Sequence, residues 1–229
     1  QMCIRDRGYA VFLPNYRGST GYGTAFSKQH QRDPAGKEFD DLVDAKLALS
    51  QQGIADPARV GITGGSYGGY ATAWAATALS EHFAAGVMLA GISDEISKYG
   101  TTEIPEEMFL VHERMNPWDN WMFMLQRSPI YHAEKAKTPL LIAHGEDDSR
   151  VHPGQALELY RFLKARGIAP VRLGLYPGEG HGNRKAAARL DFNLRMMEWF
   201  DRYLNGEHGD KALPPIRPAG LPEPAAPSQ

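Results

Sequence analysis

Apolar residues in this chain fall into short continuous runs separated by longer stretches with a helical period. Tyr9-Ala10-Val11-Phe12-Leu13-Pro14 reads as a buried strand. Glu38 to Gln52 reads as a helix, with Asp40, Asp41 and Asp44 toward its start and Gly53 as its stop. Arg59-Val60-Gly61-Ile62-Thr63 is a short strand. From Tyr67 to Leu79, Ala71, Trp74, Ala75 and Ala78 recur at the spacing of one helix face. Ala85 to Ala90 is strand-like, and Ser93 to Lys137 is irregular and rich in Met, Trp and Pro. Pro139 to Ala143 is another strand. His152 to Arg166 is a helix with Ala156, Leu159, Tyr160 and Leu163 on one face, closed by Gly167. Val171 to Tyr176 is a strand, and Arg184 to Leu204 a last helix ending on Asn205-Gly206. Strands alternating with helices predict an α/β fold, a mainly parallel sheet with helices on both faces. In such sheets ligands sit beyond the carboxyl ends of the strands.

Composition narrows the picture at the ends of the chain and for its partners. The 229 residues suit one α/β domain. Residues 1–7 contain no apolar stretch, so they are no signal peptide, and they read as a leader foreign to the domain. Residues 8–206 carry the domain, and its start on a core strand suggests a truncated parent. Residues 207–229 are rich in Pro and Ala and are expected to bury little and to be disordered. With 25 basic and 27 acidic side chains there is no basic excess for a general nucleic-acid binder. No run of 18 apolar residues exists, so no membrane-spanning helix is expected. The lone cysteine, Cys3, excludes an internal disulfide and a cysteine-based zinc site. It does not choose between a cytoplasmic and a periplasmic or secreted location.

The chemistry is concentrated in three loops. Gly64-Gly65-Ser66-Tyr67-Gly68 fits G-x-S-x-G between a strand and a helix. There a sharp turn would hold Ser66 in a strained backbone geometry, with Gly64, Gly68 and Gly69 giving room for strand and helix to approach. The N–H of Tyr67 would face a developing oxyanion. A serine needs a base and an orienting acid, which in this fold class follow in the order acid, then histidine. After the strand at 139–143 comes His144-Gly145-Glu146-Asp147-Asp148-Ser149-Arg150-Val151, where spacing alone leaves Asp147 and Asp148 open. After the strand at 171–176 comes Pro177-Gly178-Glu179-Gly180-His181-Gly182, whose glycines leave His181 free to reach the serine. His144 and His152 flank the acid loop and could imitate a metal site, but the serine turn already accounts for the region. Arg150 could meet substrate or form a surface ion pair.

Together with Asn15-Tyr16-Arg17-Gly18-Ser19-Thr20-Gly21-Tyr22-Gly23 and Ser66-Tyr67-Gly68-Gly69-Tyr70, these loops resemble the catalytic domain of the prolyl oligopeptidase family, in its dipeptidyl-aminopeptidase and acylaminoacyl-peptidase branch. The resemblance runs from about Gly8 to Leu204 and implies an α/β-hydrolase fold. It implies a catalytic triad of Ser66, Asp148 and His181, an oxyanion contact from Tyr67, and hydrolysis of short peptides through an acyl-enzyme without metal or organic cofactor. More loosely it maps a hydrophobic P1 pocket onto Val151 and the Ile92–Tyr99 region, with Tyr70 either lining it or packing on the sheet. Trp118, Trp121, Met122, Phe123 and Met124 read instead as packing under an insertion, with the chain near Tyr99 the exception. The resemblance further equates residues 8–14 with the fourth strand of an eight-stranded sheet. The first three strands, and a second oxyanion donor upstream of Tyr9, would then be missing. The third strand would lie between the fourth and fifth, which leaves a gap beside Arg59–Thr63. In the full-length parent an N-terminal β-propeller is expected, and the oligomeric state stays open. The same triad also serves carboxylesterases and lipases, and a truncated chain could be a non-catalytic fragment.

Overall fold

The computed structural model describes residues 8–206, so the leader and the Pro/Ala-rich tail lie outside the described residues. Four strands form one sheet: β1 (Gly61–Gly65), β2 (Ala85–Leu89), β3 (Leu140–Gly145) and β4 (Val171–Tyr176). Their order is β1-β2-β3-β4 and every pairing is parallel. The helices are α1 (Thr24–Ser27), α2 (Lys37–Gln51), α3 (Tyr67–Thr77), α4 (Glu95–Thr101), α5 (Trp121–Gln126), α6 (Gly154–Arg166) and α7 (Ala186–Phe200). When successive parallel strands are neighbours and every crossover has the same hand, the connecting helices collect on one face. That is where α3 and α6 lie, with the tight helical turns at Pro129–Lys135, burying Met88, Leu140 and Ile142 among Ala73, Ala76, Ala156, Leu159 and Leu163. The opposite face is left to a helix that follows the last strand. There α7 packs Met196, Met197, Trp199 and Phe200 on Ala85, Val87 and Leu141. Val87 and Met88, like Leu141 and Ile142, thus point to opposite faces, as strand geometry requires.

Most elements fall within two residues of their expected positions; the differences have physical causes. Residues 9–14 form no strand, and Val11, Phe12 and Leu13 are 39%, 54% and 63% exposed. A strand needs a neighbour to receive its backbone hydrogen bonds. Among the described strands β1 pairs only with β2, so its other edge is open, where the resemblance leaves a gap. Within this segment Tyr9 donates its hydroxyl to Asp201 at 2.7 Å and accepts from Asn205 at 2.7 Å. The last helix begins at Ala186, and its final turn widens from Asp201 to Asn205 before Gly206 ends it with a φ of 68°. The irregular stretch is built of short helical pieces, including α4 and α5. Its aromatic cluster is not the packed one expected. Met124 is fully buried, but Trp118, Trp121 and Met122 are each more than half exposed. A helix as short as α5, six residues, turns only one face inward, and Met124 occupies it.

Candidate active site

Because all four strands run the same way, β1, β3 and β4 deliver their following loops to one end of the sheet. β1 and β4 lie three strand spacings apart, roughly 14 Å. The loop after β4 must therefore fold back over β3 to reach β1. Gly145 permits this, since a Cβ there would lie 2.3 Å from the carbonyl oxygens of Glu179 and Gly180. The Asp147 N–H donates to the Glu179 carbonyl at 2.9 Å and joins the acid and histidine loops.

Ser66 sits between β1 and α3 with φ 57° and ψ −121°, a left-handed φ that a side-chain-bearing residue adopts only at a cost. Its N–H donates to the Leu89 carbonyl at 3.0 Å, and its own carbonyl accepts from Tyr70 N–H at 2.9 Å, so strand and helix hold the turn from both sides. A Cβ on Gly64 would stand 2.4 Å from the Gly68 oxygen, and one on Gly69 would stand 2.6 Å from Gly91 Cα. Gly68 departs from expectation: a Cβ there would meet nothing within 4 Å. The close approaches are made by the other two glycines, and Gly68 contributes only its backbone.

His181 Nε2 lies 2.8 Å from Ser66 Oγ, and His181 Nδ1 lies 2.8 Å from Asp148 Oδ2. A one-residue turn aims the ring: Gly182 has φ 109° and its N–H donates to the Gly180 carbonyl at 2.7 Å. Glu179, itself buried, accepts from the N–H groups of Arg184 at 2.6 Å and Lys185 at 3.1 Å, which closes the loop behind His181. Asp148 is 3% exposed whereas Asp147 is exposed, so burial separates the two aspartates that spacing left open. Asp148 Oδ1 accepts from the N–H groups of Arg150 and Val151, each at 3.0 Å. Burial alone would raise the Asp148 carboxyl. The nearby His144 and His181 rings and the Val151 N–H outweigh it and hold the group below the ordinary carboxylate range. A serine hydroxyl hydrogen-bonded to an imidazole, itself hydrogen-bonded to a buried carboxylate, is an arrangement in which the serine can serve as a nucleophile, the imidazole as its base and the carboxylate as the orienter.

Tyr67 N–H belongs to the first turn of α3 and so has no acceptor within the helix. Its ring stacks on His112 at 4.4 Å, and its hydroxyl donates to Glu38. Burial pushes Glu38 up to about 7, against the hydrogen bonds from Tyr67 and from Ala35 N–H. This support of the serine turn from α2 has no sequence signal beyond an acidic residue in a helix's first turn. The four residues mapped to a P1 pocket divide. Tyr70, Ile92 and Val151 are buried together with Phe39 and Trp74, and the Tyr70 hydroxyl donates to the Arg127 carbonyl. Tyr99 lies apart, edge-on to Trp118, beside a surface cavity of about 260 Å³ lined also by Pro105, Phe109 and Leu110. Arg150 turns outward to Glu103 at 3.3 Å. His152 Nδ1 accepts from Gly154 N–H at 3.0 Å, while His144, fully buried, faces Asp148.

The sequence model of the Prolyl oligopeptidase family matches residues 1–207. The chain is 36% identical over 210 residues to dipeptidyl aminopeptidase BIII of Pseudoxanthomonas mexicana, covering 89% of this chain and 30% of that protein. It is 33% identical over 205 residues to the acylamino-acid-releasing enzyme of Rattus norvegicus, covering 86% and 28%. Among solved structures, Pyrococcus horikoshii acylaminoacyl peptidase superposes with a TM-score of 0.79 at 31% identity, over 86% of this chain and 33% of that one. The chain thus spans less than a third of the length of these curated relatives. With a family match over nine-tenths of its length, a parallel α/β sheet and three loops meeting at one end of it, this chain belongs to the prolyl oligopeptidase family.

Proposed function

We propose that this chain is the catalytic part of a serine peptidase that cleaves short peptides through an acyl-enzyme. The observation that carries the reading is the unbroken hydrogen-bond chain from Ser66 through His181 to Asp148, at 2.8 Å and 2.8 Å. As Ser66 Oγ attacks the scissile carbonyl, His181 Nε2 takes its proton and Asp148 stabilises the resulting imidazolium. The carbonyl oxygen becomes an oxyanion held by Tyr67 N–H, assisted by the positive end of α3. Collapse breaks the C–N bond while His181 returns the proton to the leaving amine. Water, deprotonated by the same imidazole, then releases the acyl group and regenerates Ser66. None of these steps calls for a metal or an organic cofactor.

Substrate selection is read from the surroundings and from the relatives. Ile92 and Val151, which share one buried apolar cluster with Tyr70, are read as the inner wall of a P1 pocket. The names of the matched relatives, a dipeptidyl aminopeptidase and an acylamino-acid-releasing enzyme, favour action at peptide N-termini. In the full-length parent a second oxyanion donor lies upstream of Tyr9, and a β-propeller limits access to short peptides. Removing one oxyanion donor typically costs on the order of 10²–10³ in rate, which is the scale of what such an upstream donor would contribute.

A fluorophosphonate probe tests the reading. It should label Ser66 in the chain and in the parent, and Ser66→Ala should abolish labelling and lower aminoacyl-amide turnover by about 10⁴-fold or more. Undiminished labelling of Ser66→Ala overturns the assignment. A parent that turns over p-nitrophenyl esters but no aminoacyl amides would be an esterase instead.

A further inference from the structure

A second histidine approaches the catalytic acid from inside the sheet. His144, the second-last residue of β3 before the acid loop, has no solvent exposure. Its Nε2 lies 2.7 Å from the Val151 carbonyl oxygen and 3.2 Å from Asp148 Oδ2, the oxygen that His181 Nδ1 also meets. Its Nδ1 is buried without a hydrogen-bond partner among the described residues. The proton therefore sits on Nε2, since placing it on Nδ1 would bury an unpaired donor and leave Nε2 facing a carbonyl and a carboxylate as a third acceptor.

We propose that His144 is a positioning residue for the Ser66–His181–Asp148 relay: its single N–H both clamps the Val151 carbonyl and faces Asp148 Oδ2, setting the place and the charge of the oxygen that orients His181. This rests on the triad reading above. The clamp acts at both ends of one turn. The Val151 N–H donates to Asp148 Oδ1 at 3.0 Å, while the Val151 carbonyl accepts from His144. The carboxylate thus meets backbone donors on Oδ1 and two imidazole edges on Oδ2. Among the described residues no other titratable side chain is placed against it. The Arg150 guanidinium turns to Glu103, Asp147 is exposed, and the Glu179 carboxylate is taken up by the N–H groups of Arg184 and Lys185. Charge drawn from Oδ2 toward His144 is charge unavailable to the imidazolium of His181, so His144 sets how much of the carboxylate's charge the His181 ring meets.

The test uses fluorophosphonate labelling rates across pH, with His144→Leu removing the donor and His144→Gln replacing it, since the glutamine amide nitrogen reaches about as far as Nε2. In His144→Leu the plateau rate should fall about 10-fold, and the acid limb should move upward by roughly half a pH unit or more. His144→Gln should bring both back toward the parent chain. A lowered rate with an unmoved acid limb would assign His144 to folding the turn alone and overturn the proposal, as would a His144→Leu indistinguishable from the parent chain. Should His144→Leu fail to fold, nitrogen-15 shifts of histidine-labelled parent chain decide: a proton on Nε2 of His144 supports the proposal, and one on Nδ1 overturns it. Ser66→Ala run alongside separates the two readings, because labelling that survives it sinks the triad and not merely the role of His144.

Discussion

Residues 9–14 and β3 are alike in sequence and opposite in fate. Both are short apolar runs, Tyr-Ala-Val-Phe-Leu-Pro at 9–14 and Pro-Leu-Leu-Ile-Ala at 139–143, and each reads as a strand. β3 is buried along its whole length, because β2 and β4 pair with its two edges and helices cover both faces. Residues 9–14 have no described strand beside them, and Val11, Phe12 and Leu13 stay exposed. An apolar run records a capacity for burial, and only neighbours supply the backbone partners and the covering surface that realise it.

Three comparisons of this kind test the rule, beginning with the largest effect. Ile142→Ala, at a site with no exposure, should cost about 2–5 kcal/mol, while Leu13→Ala, 63% exposed, should stay within about 0.5 kcal/mol. Urea unfolding measures both, and equal costs would mean that residues 9–14 are covered after all. The second concerns a carboxyl that the fold covers. Glu38 is held up to about 7, above its ordinary 4.5. The folded state therefore favours the protonated form, and this contribution is complete below about 4.5 and lost as pH rises through 7. Burial, and then the charge of Glu95, raise Glu113 in the same direction. Asp148, held low, works the other way, and its contribution fades once pH drops below the ordinary carboxylate range. Stability should thus be greatest in mildly acid solution and fall by about 3 kcal/mol or more toward pH 8. Glu38→Gln, which can still accept from Tyr67 and Ala35, should flatten that fall in thermal melts. An unchanged slope would show that Glu38 stays ionised.

The smallest contrast sets adjacent glycines of one helix side by side. Gly69→Ala must push Gly91 away and should lose about 1–2 kcal/mol. Gly68→Ala meets open space and should be neutral or gain up to about 1 kcal/mol from helix propensity. Melting temperatures that move together would show that the turn relaxes around either methyl.

Much of the fold was legible because its signals are local. The 3.6-residue period of Ala71, Trp74, Ala75 and Ala78, the Gly167 stop and the run at 171–176 mark elements that the structure contains. The three loops were legible for a related reason: a strand-to-helix serine turn and glycines around a histidine are written in consecutive residues. The exposed Trp118, Trp121 and Met122 were not, because composition shows that a segment is apolar but not which side of its short helical pieces faces inward. The support of Tyr67 by Glu38 and of Asp148 by His144 was likewise hidden. In each case an ordinary helix acid or strand histidine gains its meaning from what lies across the fold.

By itself the sequence determined the alternation of strands and helices, the order serine, acid, histidine along the chain, and the strained turn at Ser66. Spacing left Asp147 and Asp148 open and the resemblance implied Asp148; the tertiary structure showed that Asp148 is the one buried against His181, and only it decided that residues 9–14 remain exposed and which glycines stand against another backbone. The physical reason is distance along the chain. Periodicity and turn chemistry act over a few residues, whereas Ser66 and His181 meet across 115 residues and Asp148 and His181 across 33. Such contacts are set by how the sheet stacks its loops at one end, which no single segment encodes.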